Sequence, residues 1–500
     1  MYAAVVLAAL CWVVQVAHSR PDFGLEGSVP GTNRITRQAI LAQQHFLTVD
    51  DYILPDLRSD VTKLKEAAVI LRAIGHQVNN LGPVLMDAIS TAVNDDSGDI
   101  GQVFELVSYA RLAFVSYING ALSQQETSLT ALLQQYVSDQ LQDDFFHIMA
   151  QLIVMGNTFD QLQVAVQAAY NAAGGGPVSA QLVQQYISVN LVTTLSQTLS
   201  ALAYRIPVLT YTITSSLEDI QQADDYVYGL AADSERVAQE IAESGADFYQ
   251  QVSSYATDVS SAMNALVASF TPSLTNALAT ATAYPDPSLQ VPIGQLATLV
   301  QTTLAATVAS FNSAYDAKIQ YLSTLLPINT TDVTPPESDP LTVLVDVLIA
   351  NWRYSRYCFW KYSGVLYNTL LVSNGAGECY DREVERLAKL KQALLLEIDL
   401  LAFNLEIVEP FVATCLFLPA SAASRVPGCI QELAQYFANI YNAFTPRLAS
   451  FTALAAIELD ASEQRLSVCW ATRTQEVQFT LQQLVPPINS CAIDGPNASY

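Results

Sequence analysis

Apolar side chains return at steps of three and four residues along most of this chain, a spacing that predicts long amphipathic helices. The clearest run is Leu217, Ile220, Val227, Leu230, Val237, Ile241, Phe248, Val252, Tyr255, Val259, Leu266 and Phe270. Ser215 and Ser216, followed three residues on by Glu218 and Asp219, predict its start as a capping box, and Pro272 predicts its end. A second stripe is Val384, Leu387, Leu390, Leu394, Ile398, Leu401, Leu405, Val408 and Val412, with Asp381 and Glu383 placed to complement the dipole of a first turn. Sustained alternation of period two occurs only in the stretch 201–213, where Pro207 argues against a central strand. The fold class expected is all-α: long amphipathic helices in antiparallel bundles or coiled coils, with a disulfide-stapled C-terminal helical domain.

Breaks in the pattern divide the chain. Residues 3–14 are uninterruptedly apolar and lead to Ala17-His18-Ser19, which reads as a secretory signal peptide over 1–19. Four prolines and several acids replace helical periodicity over 327–340, predicting a linker. The expected organisation is therefore a Cys-free helical region over 20–326, the linker, a six-Cys helical domain over 341–493 and a polar tail over 494–500. A weaker break at 174–177 leaves the first region as one bundle or two, and another falls at 284–292. Short echoes occur: Leu132 to Ser138 resembles Leu182 to Ser188, and Ala-Ser-Phe returns at 268–270, 309–311 and 449–451.

Cysteine usage fixes the compartment expected. Cys11 lies in the signal segment, leaving Cys358, Cys379, Cys415, Cys429, Cys469 and Cys491, an even set suited to an oxidising environment. Pairing outermost with outermost gives all three pairs nearly one midpoint, close to Ser424, as facing residues of an antiparallel helical hairpin would have. Local pairing of Cys358 with Cys379 and Cys469 with Cys491 is the alternative, and both fit the loop breaks. The Cys pattern from Tyr357-Cys358 through Glu378-Cys379-Tyr380, Thr414-Cys415-Leu416, Gly428-Cys429-Ile430 and Val468-Cys469-Trp470 to Ser490-Cys491 resembles that of secreted insect proteins with the TsetseEP domain. The resemblance covers the C-terminal third. It implies an extracellular helical protein of undefined biochemical role, with no catalytic residue to carry over.

A net charge of −25 and a pI near 4.3 argue against nucleic acid and anionic membranes as partners. Hydrophobic residues make up 51% and charged ones only 14%, against about 25% charged in an ordinary domain, so Gln, Ser, Thr, Asn and Ala must cover much of the surface. No second apolar run is free of Gln, Asn, Pro and acids over the roughly 20 residues of a membrane span; no transmembrane segment is expected. Asn329 and Asn497 stand in glycosylation sequons.

Motifs for chemistry are sparse. His45, His76 and His147 lie outside any HExxH pattern, Gly-x-Ser-x-Gly is absent, and Gly174 to Gly176 lacks the Lys of a phosphate loop. The pairs Asp95-Asp96, Asp143-Asp144 and Asp224-Asp225 have no calcium-loop spacing. No catalytic residue, metal site or cofactor is expected. The most distinctive local feature is aromatic and basic: Trp352, Arg353, Tyr354, Arg356, Tyr357 and Trp360, flanking Cys358. Such residue types dominate binding hot spots, while packing beside a disulfide would demand them equally. No Lys or Arg occurs between Arg111 and Arg205, and only Arg236 and Lys318 between Arg205 and Arg353, a distribution suited to a protease-rich fluid such as gut contents. The function expected is thus extracellular interaction with another protein or with itself, or a structural role; the alternative is a carrier of a hydrophobic ligand in a bundle cavity.

Overall fold

A computed structural model of the chain describes residues 22–326, 339–371 and 375–498. The signal segment 1–19, Asn329 and most of the linker 327–340 lie outside the described residues. Within them the chain is α-helical, with no strand beyond the isolated bridge from Asp22 to Leu25. The helices are α1 Thr32–Leu47, α2 Thr62–Val93, α3 Ile100–Tyr117, α4 Ser123–Leu133, α5 Gln135–Ala172, α6 Ala180–Tyr186, α7 Val189–Thr282, α8 Gln290–Thr298, α9 Ala305–Ser323, α10 Pro340–Ile349, α11 Ser355–Leu371, α12 Gly375–Glu406, α13 Val408–Leu416 and α14 Val426–Asp494. They form two compact units, one of residues 22–230, 339–365 and 484–498, the other of 231–326, 366–371 and 375–483. Residues 341–493 thus contribute to both.

The first unit closes around aromatic side chains. Phe23 stacks on Phe104 at 5.8 Å between centroids, and both meet Phe159. Phe46 is fully buried against Phe114, and its ring lies where a Cβ on Gly82 would be. Asp22 anchors the start of the described chain by accepting from the Val29 amide (2.5 Å) and the Thr32 hydroxyl (3.1 Å). Asp224 fastens the 51–61 segment, accepting from the amides of Arg58 (2.7 Å) and Ser59 (2.9 Å).

The second unit is a four-helix bundle, and its side-chain pairs give the direction of each helix. Along α7 and α9, Tyr249 meets Asp316 and Ser260 meets Asn312, so one ascends as the other descends. Along α12 and α14, Glu383 faces Arg465, and Glu397 faces Arg447, again antiparallel. Across the two hairpins the order runs in parallel: Phe248 packs on Tyr380, Asp258 pairs with Lys391 and Ser273 bonds Glu409. This is up-down-up-down topology. The buried stripes converge inside it, with Phe248, Val252, Leu387, Leu394, Phe437 and Phe444 in one continuous core. The stretch from Pro287 to Ser323 is long and apolar enough to cross a membrane by length and composition alone, but Ile293, Leu296, Val300, Phe311 and Ile319 belong to that core.

Three sequence expectations need correction. The long helix begins at Val189 rather than at Ser215, and it continues past Pro272 to Thr282. Ser216 is buried inside it, its hydroxyl returned to the Thr212 carbonyl, so no capping box forms. An internal proline costs a helix roughly 3 kcal/mol; at Pro207 the neighbours Leu202, Ala203, Ile206 and Leu209 are all fully buried and outweigh it. Similarly, α12 starts at Gly375, so Asp381 and Glu383 stand beyond its first turn.

Of the two disulfide schemes the sequence left open, the structure has the nested one: Cys358–Cys491, Cys379–Cys469 and Cys415–Cys429, with Cα separations of 5.8, 6.0 and 5.9 Å. The antiparallel run of α12 and α13 against α14 explains the two inner bonds, while Cys358–Cys491 links α11 to the end of α14 within the first unit. Cysteines equally far from the turn are brought face to face, within the reach of a disulfide.

Candidate functional site

The aromatic and basic cluster sits at the start of α11, in the first unit. Asn351 adopts a positive φ of 51° and sharpens the turn before it. The Trp352 amide donates to the Ser355 hydroxyl at 2.8 Å, and the Ser355 amide donates back to the Trp352 carbonyl. Helical spacing from Ser355 then splits the cluster into an inner and an outer face. Cys358 and Phe359 are buried, Phe359 meeting the Tyr226 ring edge-on at 5.2 Å. Tyr354 packs where a Cβ on Gly495 would be.

Trp352, Tyr357 and Trp360 remain on the outside at 43%, 43% and 68% exposure. Trp352 leans on Tyr136 at 6.4 Å, and Arg353 lies over Tyr354 at 5.2 Å. The cluster therefore divides: one part packs beside the Cys358–Cys491 bond, and the other is exposed. Arg356 is exposed but tethered. Its Nε donates to Asp219 at 2.6 Å, and its Nη2 reaches Glu218 and both oxygens of Ser215.

Burial pushes the Asp219 carboxyl up to about 6, in spite of Arg356 beside it. Desolvation likewise raises Glu126, Asp144 and Asp339 in the same unit. An acid with a raised folded-state pKa takes up its proton earlier when folded than when unfolded. The cost of burying its charge is therefore fully present above the folded pKa and is relieved as pH falls through it, down to the unfolded value. Thermal unfolding followed between pH 7 and pH 4 should show the protein gaining stability on mild acidification, and Asp219→Asn should gain less. Equal gains in the two proteins would mean that Asp219 is ordinarily solvated.

The remaining sequence candidates are dispersed. Asn497 is exposed in a short 3-10 turn, Gly495–Asn497. His45 bonds the Ala203 carbonyl, while His76 and His147 pair with Asp50 and Asp143. Asp144 is buried and accepts from Thr212 at 3.1 Å. Among the described residues no three His, Cys, Asp or Glu side chains converge as a metal site would require.

Sequence reasoning missed an arginine cluster in the second unit. A surface pocket of about 490 Å3 over the Cys379–Cys469 bond is lined by Arg382, Arg386, Arg465 and Arg473, with Glu383 and Glu476 among them. Glu383 is its hub, 2% exposed, holding Arg465 through both oxygens and Arg386 as well. The spacing of Arg382 and Arg386 on one helix face was readable, but their meeting with residues more than a whole helix away was not. Another pocket, of about 420 Å3, lies in the first unit between Val29, Pro30 and the end of α6.

No family model matches the chain, and searches of curated proteins and of solved structures find no match. Its functional reading rests on its own surfaces.

Proposed function

We propose that this chain is a secreted, non-enzymatic helical protein that acts by extracellular interaction or as a structural component, in a protease-rich fluid. Three disulfides suit an oxidising, extracellular environment, the segment 1–19 reads as a signal peptide, and Asn497 offers an exposed sequon. Outward Trp352, Tyr357 and Trp360 supply the residue types that anchor partners. The pocket over the Cys379–Cys469 bond, lined by four arginines and two glutamates, lends the carrier alternative no support.

The observation that carries the protease reading is where the basic residues fall. Among the described residues only Arg58, Arg353 and Arg425 lie outside α-helices, and proteases favour exposed irregular chain. Arg58 is tied by its amide to Asp224 and by its guanidinium to Asp225 at 2.6 Å. Arg425 lies between Cys415 and Cys429, so a cut there leaves the pieces covalently joined.

Trypsin digestion of the native protein is expected to stop at these arginines, leaving a fragment over 59–353 intact for hours. The Arg425 nick should appear on reducing gels only. Native protein that vanishes as quickly as an ordinary secreted control would defeat the protease reading, and lipid co-purifying without detergent would favour the carrier.

A further inference from the structure

The bundle helix α12, with α13 continuing it, is apolar on two opposite faces. One face holds Leu387, Leu394, Leu401, Leu405 and Val412 in the core. Opposite it Leu396, Leu400, Phe403, Ile407 and Phe411 fall within an arc of about 80° at 3.6 residues per turn. Four of these five are 43% to 67% exposed, and Ile407, between the two helices, keeps right-handed helical geometry and is half-buried. Their steps of four, three, four and four keep them on one side of a helix, as the apolar stripe of a helix–helix seam requires. A helix apolar all round is ordinarily buried all round, and here one side is left uncovered among the described residues.

We propose that this outward seam docks an amphipathic helix of a partner protein whose flanking positions carry Lys or Arg. Charge selects that partner. Asp399 and Glu406 edge the seam, both exposed, and neither forms an ion pair among the described residues, whereas Glu397 on the other edge is satisfied by Arg447 at 2.8 Å. A second copy of this chain laid seam to seam would set Asp399 and Glu406 beside their own counterparts, a like-charge contact that disfavours self-pairing. Hydrocarbon is disfavoured by the same two carboxylates, which would be buried without a partner. The proposal rests on reading the chain as an interaction protein and names the surface that does it.

The test uses the full-length protein and a designed helical peptide with Leu along its seam and Lys at the flanking positions, against the same peptide with Glu there. Fluorescence anisotropy should show the Lys peptide binding roughly ten-fold or more tightly than the Glu peptide. Leu400→Ser with Phe403→Ser should lose that binding, and Asp399→Lys with Glu406→Lys should reverse the preference. All four positions are exposed, so an unchanged helical spectrum certifies folding. Equal binding of both peptides, or none, overturns the proposal. So does a dimer that the serine variant dissolves, or binding to phosphatidylcholine vesicles that it abolishes. Should the peptide fail while the native protein still withstands trypsin, the seam alone is rejected and the wider reading of function stands.

Discussion

Replacing Arg465 with Ala should destabilise the four-helix bundle by about 3–5 kcal/mol, the usual consequence of leaving a buried charge without its partner. Glu383 is 2% exposed, and Arg465 donates to it through Nε at 3.0 Å and through Nη2 at 2.9 Å. The same guanidinium holds Glu458 at 2.7 Å and Ser462 at 3.0 Å, so its loss loosens several contacts together. Arg386 stays on Glu383 but is half exposed and approaches from the same helix, which places the expected loss toward the lower end. Removing both charges should be far milder: Glu383→Leu with Arg465→Met exchanges an ion pair for apolar contact, and such exchanges are often neutral. Urea unfolding checks both. A single variant within about 1 kcal/mol of the native protein would mean that water reaches Glu383.

That hub shows where sequence legibility ends. Helical periodicity gave the fold class and the buried stripe of α12, because a core position needs only a neighbour of any apolar kind every third or fourth residue. It also gave the nested disulfides as one of two options, since facing positions in an antiparallel hairpin are fixed by rise alone. What it misplaced was local. Ser215 and Ser216 carry a capping signature that tertiary burial overrides, and Pro207 and Pro272 sit inside a helix held by packing on its neighbours. Glu383 suits a helix dipole only if a helix begins near Asp381; its true partner lies on α14, a long-range contact no window of local sequence contains.

The second apolar face of α12 was in principle readable. Leu396, Leu400, Phe403 and Ile407 keep helical spacing as faithfully as the core stripe does, but a stretch so uniformly apolar hides two periodic sets in one. The echoes of Ala-Ser-Phe acquire a physical meaning as well: Phe311 and Phe451, from two of the three copies, meet at 5.5 Å on parallel helices of the bundle.

Removing the Cys379–Cys469 bond, as Cys379→Ala with Cys469→Ala, should cost about 3–4 kcal/mol, because crosslinking stabilises chiefly by restricting the unfolded chain and more so for longer loops. The bond closes a separation of 90 residues, whereas Cys415–Cys429 closes only 14 at the tip of the same hairpin. Chain entropy alone would put a loop of about 100 residues nearer 5 kcal/mol and one of about 15 nearer 3. The expected value falls below the first figure because Cys358–Cys491, spanning 133 residues outside it, already shortens the path between the two sites in the unfolded state. Nesting thus makes the bonds interdependent. In a background lacking Cys358 and Cys491, the loss on removing Cys379–Cys469 should grow by about 1 kcal/mol, while the contribution of Cys415–Cys429 should barely change. Urea midpoints of the single and combined variants measure the difference. Strict additivity would show that these links act on the folded bundle, by packing Cys379 against its core neighbours, rather than on the freedom of the unfolded chain.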